Sequence, residues 1–310
     1  MRLDYRLLTA ATLIAAASHG GVCAPAHPTS SANVRIAVRN VLFHPLDDVN
    51  LVVTRLDGWM IPRLGGIVSL DKKNSFTLAI LSGETHLTAA DLSALMNEYV
   101  LPHAHSSIKN IAVSFEGPSM VVKGDLKKGV PISFTAKGSV MLDGTDAIRV
   151  HFTEIRAAGL LKKGLLDFLG IKLSKVAQPG KTSRFHIEGD DVILPINALF
   201  PPPRISGKLT AVSIQGDSLV QIFGPPSAQP QPPPTPAKAY IYFRGGTVQF
   251  GNLSMSPVDL QLVDTVPVAQ FDFSLDHYYE QLQAGYSKLL LGRGLLVSVP
   301  GYATLRAKKQ

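Results

Sequence analysis

The sequence predicts an α+β protein in which a long, curved antiparallel sheet wraps around one or two amphipathic helices, ahead of a strand–helix–strand C-terminal region. Three observations predict it. Between Ile111 and Phe152, apolar and polar residues alternate over long runs separated by turn residues. Leu92, Leu95, Met96, Tyr99 and Val100 recur at i, i+3, i+4, i+7 and i+8, one apolar stripe on a helix. Leu275, Tyr278, Tyr279, Leu282, Tyr286, Leu289 and Leu290 suggest a second such helix near the C-terminus. The 22 prolines and 26 glycines, against one tryptophan, agree with many turns between short strands.

The first residues have the layout of a signal peptide. Arg2 and Arg6 precede an apolar run from Leu7 to Ala17, and small residues surround Val22–Ala26. The run is about half of the roughly 20 residues that a membrane span requires. Cleavage after Ala26 is expected, and it would remove the one cysteine, Cys23. The product would carry a formal charge of +6, 28 basic against 22 acidic residues. It would have no disulfide and no thiolate chemistry, so it would rest on its core alone. The basic balance favours an anionic neighbour such as a membrane surface.

Val34, Ile36 and Val38 alternate with Arg35, Ala37 and Arg39 as a half-buried strand, and Leu51–Leu56 fits a second. Ser69 to Leu81 reads as a hairpin around Asp71–Asn74, with Phe76, Leu78 and Ile80 on one face. The helix follows. Thr88 can cap its first turn, Asp91 stands three residues on at capping-box spacing, and Pro102 stops it.

A meander comes next. Ile111, Val113 and Phe115 end at Glu116-Gly117-Pro118, and Met120–Gly124 leads to a turn at Lys127-Lys128-Gly129. Ile132, Phe134, Ala136, Val140 and Leu142 keep one parity up to Asp143-Gly144, and Ile148, Val150 and Phe152 alternate with Arg149, His151 and Thr153. Such a sheet must cover its apolar face. Leu160–Val176 is the expected cover: a helix with Leu161, Leu165, Phe168 and Leu169 on one face and Lys162 and Lys163 on another. Gly164 and Gly170 weaken it by roughly 1 kcal/mol each.

Strands are expected around Phe185–Glu188, Leu209–Ile214 and Leu219–Phe223, with a short helix or irregular edge over Asp191–Phe200. Seven of the twelve residues from Pro225 to Pro236 are proline, the composition of a stiff spacer. Beyond it, Ala239–Phe243, Thr247–Phe250, Asp259–Val263 and Leu295–Val299 read as strands around the second helix. The expected organisation is therefore a signal peptide at 1–26, sheet plus helices at 27–224, a linker at 225–237 and a C-terminal module at 238–310. Whether that module stands apart or extends the first sheet is open at this level.

No catalytic constellation emerges. Gly216-Asp217-Ser218-Leu219 matches the tetrad that names one class of esterases and lipases, in which it lies near the mature N-terminus and an Asp-x-x-His pair follows. Here the tetrad sits two-thirds along the chain, and the one later histidine, His277, has Ser274 three residues before it. Gln215-Gly216-Asp217 equally makes a turn between strands. His103-Ala104-His105 could place two imidazoles together, yet a site needs a third ligand. The carboxylate pairs Asp47-Asp48 and Asp190-Asp191 lie in turns, and no phosphate-cradling loop is present. Neither a cofactor nor a metal is expected, and the dispersed basic residues speak against nucleic acid.

The stretch from Leu87 to Phe223 resembles the LmeA-like family of bacterial envelope phospholipid-binding proteins. The resemblance rests on Leu87-Thr88-Ala89-Ala90-Asp91-Leu92 opening a short helix and on strands broken at Lys123-Gly124 and Lys128-Gly129. It continues through Leu160–Leu173 and the step at Leu194-Pro195. It implies a curved sheet wrapped on a helix, lipid contact and an envelope location, and no catalytic residue. The strands before residue 86 and everything after the proline tract are extra.

The expectation is an exported, non-enzymatic protein of the periplasm or cell envelope that binds a lipid or other amphiphile. Ile132, Phe134, Val150, Phe152, Leu165, Phe168 and Leu169 are the expected cavity lining. Lys162 and Lys163 are placed near an anionic headgroup. A structural or assembly protein with a filled core and an unknown protein partner is the alternative, and a secreted esterase acting through Ser218 is a third.

Overall fold

Long alternating strands need partners along their whole length, and this chain supplies them by forking its sheets. The computed structural model describes residues 32–63, 66–103, 107–128, 130–158, 160–162, 164, 184–225, 233–292 and 294–307. Among them 60% of the structure is strand and 14% helix. The strands are β1 (Val34–Leu46), β2 (Val49–Pro62), β3 (Val68–Ser69), β4 (Phe76–Thr88), β5 (Ile108–Glu116), β6 (Ser119–Lys128) and β7 (Val130–Asp143). They continue as β8 (Ala147–Ala157), β9 (Leu160–Lys162), β10 (His186–Glu188), β11 (Asp191–Pro195), β12 (Arg204–Gly207), β13 (Leu209–Gln215) and β14 (Ser218–Phe223). The last are β15 (Tyr240–Gly245), β16 (Val248–Phe250), β17 (Leu253–Met255), β18 (Val258–Asp264), β19 (Phe271–Ser274), β20 (Tyr286–Leu289) and β21 (Leu295–Val299).

Among the described residues the larger sheet has eleven strands, nine of them in the order β13-β14-β4-β2-β1-β15-β18-β21-β20 and two, β12 and β19, off this path. Its two forks lie on β1 and β4, strands of 13 residues each. β1 pairs with β15 through Arg35–Arg39 and with the parallel β19 through Val41–His44. β4 pairs with the parallel β12 through Thr77–Ile80 and with β14 through Gly83–Thr88. The second sheet has seven strands, β10-β11-β8-β7-β6-β5 with β9 beside β8. Its centre is the expected meander β5–β8. Gly144 takes φ +61° at the β7–β8 turn, a conformation that a Cβ strains. Where β7 passes from Lys137 to Gly138, β8 passes from Glu154 to Phe152, so Thr153 is the extra residue of a bulge that lets Ile155 turn inward with Phe152 and Val150, facing the same side as Phe134 and Ala136.

The capped helix is present with one modification. α1 (Ala89–Leu95) runs through a π-helical segment, Met96–Val100, into a last turn, α2 (Leu101–His103), which includes Pro102. Thr88 Oγ1 accepts from the Asp91 amide at 3.1 Å, as the cap requires. Asp91 does not complete a capping box. Its carboxylate takes the Thr88 hydroxyl and reaches across to Asn50, accepting from the backbone amide at 2.8 Å and from Nδ2 at 3.0 Å.

Three expectations are corrected. Ser69–Leu81 is no hairpin: β3 leaves β4 and pairs in parallel with β16, because a 3₁₀ turn at Lys73–Ser75 turns the chain aside. The second amphipathic helix is short. α4 (Tyr278–Gln283) stops where Tyr286–Leu289 pairs antiparallel with Leu295–Ser298, so strand pairing overrides the helical spacing. The helix expected from Leu160 starts instead as β9, hydrogen-bonded to β8; residues 163 and 165–176 lie outside the described residues. For the C-terminal region, where the sequence leaves both arrangements open, the strands join the first sheet. β15 continues the first sheet directly from β1, and Gln261, fully buried, clamps the end of the proline tract by accepting from the Thr235 amide at 3.0 Å and donating to its carbonyl at 2.8 Å.

The remaining helices are α3 (Ile196–Leu199) and α5 (Tyr302–Ala307). The two sheets meet where Leu209 of β13 donates to the Thr145 carbonyl in the β7–β8 turn at 2.7 Å. One continuous apolar core runs through both sheets, from Phe76 and Phe271 to Ile148 and Phe134. Each fully buried phenylalanine contributes roughly 1.5–3 kcal/mol.

Candidate functional site

Two cavities lie within that core. The first, about 100 Å³, is enclosed by the inner face of the second sheet, by Leu92 and Met96 of the helix, and by Leu219 of β14. Its lining is wholly apolar. Phe134, Val150 and Phe152, three of the expected residues, line it together with Ala136, Ile148 and Ile155. Ile132 packs half-buried against the same core. Leu165, Phe168, Leu169 and Lys163 lie outside the described residues, and Lys162 belongs to β9, its backbone paired with Ile155.

The second cavity, about 130 Å³, has no counterpart among the expected residues. It is lined from the first sheet by Val41, Val53, Thr85, Gln221, Ile241 and Phe243, strands that lie largely in the parts outside the family resemblance. α3 divides the two cavities: Leu199 faces the first, Ile196 and Phe200 the second. β14 crosses the same boundary. Leu219 belongs to the first cavity, and Gln221 and Phe223, on the same strand face, to the second. Two residues along a strand span about 7 Å, so the cavities are near neighbours.

Gln221 is, with Thr85, a polar residue in an otherwise apolar lining. It is 1% exposed, and neither its Nε2 nor its Oε1 has a hydrogen-bond partner among the described residues. A sequence signal existed for it. In Leu219-Val220-Gln221-Ile222-Phe223 the glutamine has the parity of Leu219 and Phe223, so alternation alone places an amide on the buried face.

Polar clusters elsewhere tie segments together. Arg149 bonds Asp143 at 2.9 Å and also Asp191, whose other oxygen meets His151 Nδ1 at 2.6 Å. Burial would raise the Asp191 pKa, but the hydrogen bonds from His151 and Arg149 outweigh it and hold the carboxyl below its ordinary value. His44 Nε2 lies 2.6 Å from Asp272, joining β1 to the strand parallel to it. Asp47 meets His277 Nε2 at 3.1 Å and the Tyr302 hydroxyl at 3.2 Å, anchoring α5 to the β1–β2 turn. Burial, and then Asp71, push the Tyr278 hydroxyl up in pKa.

Ser218 of the tetrad donates its hydroxyl to Asp217 at 3.0 Å, directly after Gly216 in the β13–β14 turn. Among the described residues no group of three or more His, Cys, Asp or Glu side chains could hold a metal ion. Among them, too, no helix is long and apolar enough to cross a membrane. Comparison with family models, curated proteins and solved structures finds no match.

Proposed function

We propose that this chain is an exported, non-catalytic binding or carrier protein for a lipid or other amphiphile of the bacterial cell envelope. The observation that carries the reading is the pair of adjoining cavities, whose linings are apolar except for Thr85 and Gln221. Apolar walls need no special chemistry to bind an acyl chain, since each methylene withdrawn from water contributes about 0.8 kcal/mol. Neither cavity alone reaches the roughly 300 Å³ of typical ligand sites. A chain must therefore use both or displace side chains between them, such as those of α3, which contributes Leu199 to one lining and Ile196 to the other. The basic n-region and apolar run of residues 1–17 support export, the positive charge supports contact with an anionic membrane surface, and the resemblance to the LmeA-like family supports the ligand class.

The test is native mass spectrometry of chain purified in the presence of membranes, together with displacement of a fluorescent fatty-acid probe. Lipid carried in stoichiometric amount is expected. If nothing co-purifies and no probe is displaced, the reading fails.

One feature favours a second reading, that of an envelope assembly protein. β20 is an edge strand exposed along its whole length, and Leu289 and Leu291 beside its turn are 79% and 107% exposed. Unpaired apolar edges of this kind are docking sites for other chains. A stable complex formed through Leu289 and Leu291, with no lipid bound, would establish this alternative.

A further inference from the structure

Every strand neighbour of Gln221 towards the middle of the sheet opens on the same space. Gln221 is in register with Thr85, Thr85 with Val53, and Val53 with Val41, and all four line the second cavity. The row thus begins with two polar side chains and continues with two apolar ones. A buried primary amide has two donor hydrogens and an acceptor oxygen to satisfy, and leaving them unmet opposes folding. At 1% exposure the amide cannot turn out to solvent. No charged side chain is among the described residues lining this cavity.

We propose that the second cavity receives the uncharged hydrogen-bonding group of an amphiphile, and that Gln221, with Thr85 beside it, is the residue pair that recognises that group. The proposal rests on the binding function above and narrows it. A hydroxyl or a carbonyl can exchange hydrogen bonds with the amide while its apolar body occupies Val41, Val53 and Phe223. An ionised carboxylate or phosphate would enter with no counter-charge, and burying an uncompensated ion is far costlier than burying a neutral group. The ligand class is therefore a neutral amphiphile, with its polar group held inside rather than left at the mouth. Specificity arises because a ligand lacking the group leaves Gln221 unpaired.

The experiment uses three small probes matched in shape, toluene, benzyl alcohol and benzoate, titrated calorimetrically into the full chain and into Gln221→Met. Methionine keeps the length of glutamine and removes both polar atoms. The affinity ratio of benzyl alcohol to toluene is expected to be about tenfold higher in the native chain than in Gln221→Met, the scale of one net hydrogen bond. Benzoate is expected to bind weakest to both. Equal ratios in the two proteins, the result if the amide merely holds a buried water, would overturn the proposal, as would benzoate binding more tightly than benzyl alcohol. Binding of toluene with no preference leaves the apolar cavities intact as a ligand site, whereas no binding by any probe removes the broader reading as well. If Gln221→Met does not fold, Thr85→Val carries the same comparison from the neighbouring position.

Discussion

Filling the first cavity separates a packing void from a ligand site. Ala136 is 2% exposed, lies on the central strand β7 and lines the cavity. A void of about 100 Å³ forfeits about 2.4 kcal/mol at roughly 24 cal/mol per Å³. Ala136→Leu should recover part of that, about 1–2 kcal/mol, because the added branch cannot match the cavity shape fully. For a chain of this size each kcal/mol moves the unfolding midpoint by about 2–4 °C. Thermal unfolding followed by circular dichroism should therefore rise by several degrees, while the affinity for a fluorescent fatty-acid probe falls at least about tenfold. Such a stability gain at the expense of binding is the signature of space kept open for function. Two results refute the reasoning. A loss of roughly 1–3 kcal/mol from overpacking would mean that the space is not there to be filled. A stabilised variant that binds the probe like the native chain would mean that the cavity is not the site.

The Asp91 carboxylate joins the helix cap to the β1–β2 region, so Asp91→Ala should lower urea stability by about 2–3 kcal/mol, because the Asn50 amides and the Thr88 hydroxyl lose their shared acceptor while the backbone cap stays. Thr88→Ala alone should cost about 1 kcal/mol, and the double variant less than the sum, because both act through one carboxylate. Because the Asp191 carboxyl is held below its ordinary value of 3.8, the unfolded chain binds more protons there as the pH falls. Its stabilisation is complete above that value and is lost as the pH drops through the folded pKa; Asp191→Asn should flatten this acid limb of a midpoint-against-pH curve. Gly138→Ala should destabilise by more than about 2 kcal/mol in denaturant titration, since a Cβ would stand 2.2 Å from the His151 carbonyl oxygen, a backbone atom that cannot step aside.

What the sequence determined by itself is local. The meander from Ile111 to Thr153 was legible because its apolar and polar residues alternate and its strands end in their own turn chemistry, and the Thr88 cap because its donors and acceptors lie within three residues. Phe134, Val150 and Phe152 could be placed on one wall for the same reason. What only the tertiary structure decided involves partners far apart in the chain. Residues 286–289 carry helical spacing, yet they form a strand because Leu295–Ser298 offers a ladder whose hydrogen bonds outweigh a short helix. β3 finds β16 nearly 180 residues later, and β15 extends β1 across the proline tract, pairings on which no local signal bears. The second cavity belongs to this class as well. Its walls come from β1, β2, β4, β14 and β15, and the alternation that turns Gln221 inward says nothing of what it will face. Periodicity fixes which side of a strand a residue takes; only long-range packing sets what lies opposite, and there an amide becomes either a defect or a recognition group.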